Sequence, residues 1–162
     1  MNTASFGWEI NSINGKGANM LIPVKKAITL TSFQASISMM SLSPSAGASE
    51  VFVAAFVFPK PPVFDNTDGH AFMKLEATPD IGPASWYDPN GIKPHGDASS
   101  HKQDCIFTGI LKTYAPASTC QNFQVPHELP IAAGSTIVLH MDHWGVTCDV
   151  EMDGSITYEP DD

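Results

Sequence analysis

Apolar side chains return at every second position along most of this chain, a spacing that suits the pleat of a β-strand and not the 3.6-residue turn of a helix. From Ala27 to Met40 the apolar set is Ile28 and Leu30, then Phe33, Ala35, Ile37 and Met39. The phase slips from even to odd near Ser32, as it does at a bulge or where a strand bends from one sheet to another. Glu50 to Phe58 is apolar on both phases, with Val51, Val53, Ala55 and Val57 on one and Phe52, Ala54, Phe56 and Phe58 on the other. A strand with two apolar faces must be covered on both. It either lies centrally under another layer or turns Phe52, Phe56 and Phe58 toward a second subunit.

The last third repeats the pattern. Ile137, Leu139 and Met141 share one face, with Val138, His140 and Asp142 on the other. Val146, Cys148, Val150, Met152, Ile156 and Tyr158 are all even-numbered, and the acids Asp149, Glu151, Asp153 and Glu159 are all odd. A two-residue hairpin at Asp153-Gly154 would set even positions against odd, so parity favours one strand bent at Gly154 or a three-residue loop. Phe6–Ile10, Asn19–Val24, His70–Ala77, Asp104–Tyr114 and Gln121–Val125 are further strand candidates. About eight or nine short strands predict an all-β, two-sheet β-sandwich in a single domain, 1–162, with 1–24 as the N-terminal arm and first strands. Residues 59–104 read as a long loop excursion, with seven prolines, four glycines and six aspartates.

Charge narrows the function. The eight cations are all lysines, set against 17 acids, and the net charge is -9. That balance disfavours a grip on nucleic acid and attraction to an anionic membrane surface. The N-terminus lacks the basic and apolar regions of a secretion signal, and no apolar run approaches the length of a membrane span. The expected location is a virion or the cytoplasm of the producing cell. Cys105, Cys120 and Cys148 are an odd number, so buried reduced thiols are expected, with a Cys105–Cys120 bridge as the alternative.

Few residues carry recognisable chemistry. Trp86-Tyr87-Asp88, framed by Pro83 and Pro89, offers flat aromatics beside a carboxylate, suited to stacking on a sugar or anchoring a protein contact. His95, Asp97 and His101 place two imidazoles and a carboxylate in one loop, without the spacing of an established metal site. His140 and His143 fall on opposite faces of a strand and cannot ligate together. Asp65-Asn-Thr-Asp68-Gly69 breaks the alternating register of a calcium loop and reads as a turn. There is no Gly-x-Ser-x-Gly elbow and no cysteine with an activating motif. The expectation is a non-enzymatic protein with no cofactor and no metal.

The stretch Leu129-Pro-Ile-Ala-Ala-Gly134-Ser-Thr-Ile-Val-Leu139, a polar turn, and the closing Gly154-Ser-Ile-Thr-Tyr158 resemble the last strands of jelly-roll domains. Such domains occur in phage and viral capsid-decoration or fibre-tip proteins and in TNF/C1q-like modules. Ala27-Ile-Thr-Leu-Thr-Ser-Phe-Gln-Ala-Ser-Ile37 is similar to the strand that opens such a sandwich. The resemblance implies a jelly-roll-like structural module that forms a homo-oligomer, a trimer foremost, and docks onto other particle proteins. A carbohydrate-binding, lectin-like module using Trp86 on surface glycan is the alternative. A small metal-dependent cupin-like enzyme ranks last, because the cupin histidine-and-glutamate pattern is absent.

Overall fold

The computed structural model describes residues 1–13, 17–41, 47–59, 71–75, 78–82, 85–87, 105–114 and 118–161. Ten strands are found there: β1 (Asn2–Ile13), β2 (Gly17–Pro23), β3 (Ile28–Ser41), β4 (Ala48–Phe58), β5 (Ala71–Leu75), β6 (Ser85–Tyr87), β7 (Cys105–Tyr114), β8 (Ser118–Ile131), β9 (Thr136–Gly145) and β10 (Cys148–Pro160). They form two antiparallel five-stranded sheets, in the orders β5-β1-β10-β3-β8 and β6-β2-β9-β4-β7. Setting aside the short edge strands β5 and β6, the chain alternates between sheets at every connection except β4 to β7. Two four-stranded sheets wound in this way make the jelly-roll sandwich.

The inward phase of the eight longer strands builds one continuous core. Trp8, Met20, Ile22, Phe33, Ile37, Val53, Leu139, Met152, Ile156 and Tyr158 are all buried in it. Phe33 links the sheets through its stack on Phe107, with ring centroids 4.8 Å apart, and Phe107 in turn meets Phe123 of β8 at 5.3 Å. The phase slip near Ser32 is a bulge. The pairing of β3 with β8 shifts between Leu30 and Ser32, and that with β10 between Thr157 and Tyr158, leaving Thr31 to donate its hydroxyl to the Thr157 carbonyl at 3.0 Å. β10 runs unbroken through Gly154, which pairs with both Phe6 and Ala35. A Cβ there would collide with the Gln34 carbonyl oxygen and lie 2.6 Å from Phe6 Cζ, so glycine keeps this strand flat against both neighbours.

The region 59–104 contributes more than a loop. β5 extends the first sheet beside β1, and β6 extends the second beside β2. Between them, residues 78–82 pin across one end of the sandwich. Ile81 bridges Val24, the Lys25 amide donates to the Asp80 carbonyl at 2.7 Å, and the Gly82 amide donates to the Pro23 carbonyl at 2.9 Å. The buried Tyr158 hydroxyl donates to Asp80 Oδ2 at 3.2 Å and lies 2.8 Å from Thr78 Oγ1, which also accepts the Asp80 and Ile81 amides. None of the buried side-chain nitrogen or oxygen atoms of this plug is left without a hydrogen-bond partner, as burial requires.

Candidate functional site

The outward face of the second sheet is the least ordinary surface of the molecule, because it is apolar where water would be expected. Antiparallel register puts its residues in rows. Leu21, Val138, Phe56 and Cys105 form one, Asn19, His140, Ala54 and Thr108 the next, then Asp142, Phe52 and Ile110, and finally Trp144, Glu50 and Lys112. Leu21, Ala54, Phe56 and Val138 are buried although they point away from the core. Phe52, Phe58 and Cys105 pack around Ala54 and Phe56 as a cluster separate from the core. Of the three proposed interface residues, Phe56 is thus covered within one chain, while Phe52 and Phe58 are half-buried.

A polar network is set into this face. His140, 1% exposed, places Nδ1 2.8 Å from Asn19 Oδ1 and Nε2 3.0 Å from Asp142 Oδ2. The sequence pattern places His140 among solvated groups, and the fold buries it instead, because its neighbours Asn19 and Ala54 are themselves covered. Asn19 Nδ2 is buried without a hydrogen-bond partner. With the amide oxygen and nitrogen exchanged, Nδ2 donates to His140 Nδ1 and His140 Nε2–H donates to Asp142.

Toward Gly145 the face opens to solvent. Trp144 and Ile110 are each 53% exposed and Tyr114 is 71% exposed. Glu50 and Lys112, paired at 3.4 Å, sit among them. Trp144 and Tyr114 are residue types that anchor protein contacts, and the row of Trp144, which ends at Lys112, lies between those of Ile110 and Tyr114.

The inward side of β4 and β9 holds Ser49 and His143, which lie near Cys148 of β10 in the first sheet, and all three are buried. The Ser49 hydroxyl donates to the Val146 carbonyl, and His143 Nε2 donates to the same carbonyl at 2.9 Å while lying 3.2 Å from Ser49 Oγ. A ring nitrogen whose N–H is given to the Val146 carbonyl has no lone pair to take the serine's proton, so this is a buried turn anchor and not a base–nucleophile pair. Burial pushes the Cys148 thiol up, and a hydrogen bond with Ser49 only partly opposes it. Burial lowers the His143 pKa, with the Val146 carbonyl pulling the other way.

The outward face of the first sheet has the opposite character. Glu9, Glu151, Ser38 and Cys120 form one row and Gly7, Asp153, Ser36 and Asn122 the next. A shallow groove of about 480 Å³ lies between Glu9, Met40, Cys120, Asp149 and Glu151. Asp153, then burial, then Glu9 hold the Glu151 carboxyl above its ordinary range. Among the described residues no group of three or more His, Cys, Asp or Glu side chains is arranged to hold a metal.

The remaining sequence candidates are dispersed. Trp86 and Tyr87 lie in edge strand β6 and not on a loop tip, at the register positions opposite Met20 and Asn19. Asp88, His95, Asp97, His101 and the Asp65–Gly69 turn lie outside the described residues. The three cysteines are free, with Cys105 outward on the second sheet, Cys120 outward on the first and Cys148 in the core. Trp8 is wholly core and Trp144 is exposed. No single property of the sequence marks Asn19 as a partner of His140, since the two are 121 residues apart.

No family model matches the chain, and no curated protein does. Among solved structures, the chain is similar to a cryo-EM structure of Broad Bean Stain Virus, with a TM-score of 0.35 and 7% identity, over 97% of this chain and 88% of that one.

Proposed function

We propose that this protein is a non-enzymatic structural component of a virus particle, such as a phage capsid-decoration, fibre or tail protein. It acts by symmetric self-association and by docking onto other particle proteins, and it resides in the virion. The observation that supports this reading is the open end of the second sheet's outward face, where Trp144, Ile110 and Tyr114 are exposed. Large side chains of this kind grouped on one face are suited to anchoring a protein contact. Threefold closure is the copy number that the jelly-roll resemblance implies. The test is the mass of the purified protein in dilute solution at neutral pH, by light scattering and sedimentation. A closed oligomer of the 17.4 kDa chain is expected, and a monomer would overturn the proposal.

A further inference from the structure

Each sheet of a sandwich has two edges, and an edge strand exposes a row of unpaired amides and carbonyls to any chain that can pair with them. Among the described residues three of the four edges are blunted. β5 spans five described residues and β6 three, short templates for pairing. β8 is long, but it carries Pro126 and Pro130, and proline cannot donate to a ladder. β7 differs: it runs ten residues without proline. Its bulge lies at Ile106, near one end, and leaves the stretch from Phe107 to Tyr114 regular. Its one charge, Lys112, is tied sideways to Glu50 on its own sheet.

Two further observations mark this edge. Beneath it the core is sealed, because Gly109 admits the Phe123 ring so closely that a Cβ would stand 2.6 Å from Phe123 Cζ. On its outward side, Thr108, Ile110, Lys112 and Tyr114 are all exposed, and Trp144 lies two strands away on the same face. Among the described residues nothing pairs with the free edge of β7, and the exposed Ile110 and Tyr114 lie along it.

We infer that β7 is an edge-to-edge interface with a second copy of this chain, the two β7 strands pairing antiparallel across a two-fold axis to join the second sheets into one. The inference rests on the self-association proposed above and names its contact. A second copy is the occupant because it brings an edge of equal length and the same apolar flank, the self-complementarity an isologous contact needs. Outward residues must meet outward residues, so the register pairs even positions with even. Centring on Ile110 sets Ile110 against its own copy and Thr108 against Lys112, overlaps nearly the whole strand, and keeps the two lysines apart. The contact makes the number of copies even, whether or not a threefold contact operates as well.

The test compares the wild type with Ile110→Lys, Tyr114→Lys and the control Met40→Lys, an equally exposed apolar position on the first sheet. Light scattering at one concentration should give an even-numbered wild type, half that mass for the first two variants, and no change for the control. Circular dichroism verifies that each variant remains folded. A second measurement fixes the register. In a Cys105→Ser/Cys120→Ser background, Ile110→Cys should oxidise to a covalent dimer, because directly opposed residues have Cα atoms about 4.5–5.5 Å apart, within disulfide reach. Thr108→Cys, opposed to Lys112, should not. An oligomer untouched by Ile110→Lys and Tyr114→Lys, or one that cross-links no better at 110 than at 108, overturns the β7 interface alone. A monomeric wild type overturns the self-association reading with it.

Discussion

The two sheets share a core and a winding, yet they treat their outward faces in opposite ways. On the first sheet the outward row Glu9, Glu151, Ser38, Cys120 is polar and reaches water, and its acids repel one another enough to hold the Glu151 carboxyl up. On the second, the row Leu21, Val138, Phe56, Cys105 is apolar and largely buried, and even its histidine is enclosed. Among the described residues, the outward face of the first sheet gathers Glu9, Asp149, Glu151 and Asp153, whereas that of the second carries Glu50 and Asp142 beside Lys112. The difference teaches that the described acids favour one face, which leaves the other better suited to contact.

The sharpest way to break this comparison is to cut the same kind of position on both faces. Phe56→Ala should cost about 3–5 kcal/mol in urea unfolding, the usual loss for a buried phenylalanine. Gln124→Ala, exposed on the outward face of β8, should stay within about 0.5 kcal/mol. Equal small losses would mean that the second face is not closed. A smaller effect is expected from the polar inset. Asn19→Ala removes the buried Asn19–His140 hydrogen bond and should cost about 1–3 kcal/mol, whereas Asn122→Ala on the first face should cost almost nothing.

Protonation should separate the two sheets by sign. His143 has a folded pKa below its ordinary 6.5, so its contribution is fully present above pH 6.5 and is lost as pH falls from there through the folded value. The urea midpoint should drop across that window, and His143→Gln, which can still donate to the Val146 carbonyl, should flatten the drop. Glu151 runs the other way and more weakly, since it is exposed and screened by solvent. Its folded pKa lies above 4.5, so acidification through that folded value toward 4.5 relieves repulsion and adds stability. Asp153→Asn should remove most of this gain and raise stability slightly at neutral pH.

How much of this could be read in advance depends on whether the determining contact is local. The bulge in β3 was legible because a one-residue slip changes the parity of every later apolar residue, from Leu30 to Phe33. The passage of β10 through Gly154 was legible for the same reason. The two apolar faces of β4 were plain from composition alone. By contrast, Gln121–Val125 is only the middle of β8, which continues through Pro126 and Pro130. Proline ends a central strand but is tolerated on an edge, and being an edge is a property of the assembled sheet. β6 is invisible for a related reason, since Ser85-Trp86-Tyr87 is too short to show a period and takes its extended form from pairing with β2. The enclosure of His140 was hidden most deeply, because its residue type and phase both say exterior. Only the row that carries Asn19 and Ala54 says otherwise.

The place of β10 between β1 and β3 has a consequence for how the molecule is made. Asn2 faces Tyr158 and Ile28 faces Pro160, so the middle of the first sheet is filled by the strand that comes last among the ten. A chain growing from its amino end holds β1 and β3 apart as two open borders until residues 148–160 emerge. Long-range pairing of this kind is slow and leaves unpaired strands exposed in the meantime. Yield should therefore depend on what shelters those borders during synthesis, and a copy stalled before Cys148 would present two templates for aggregation in place of one finished sheet.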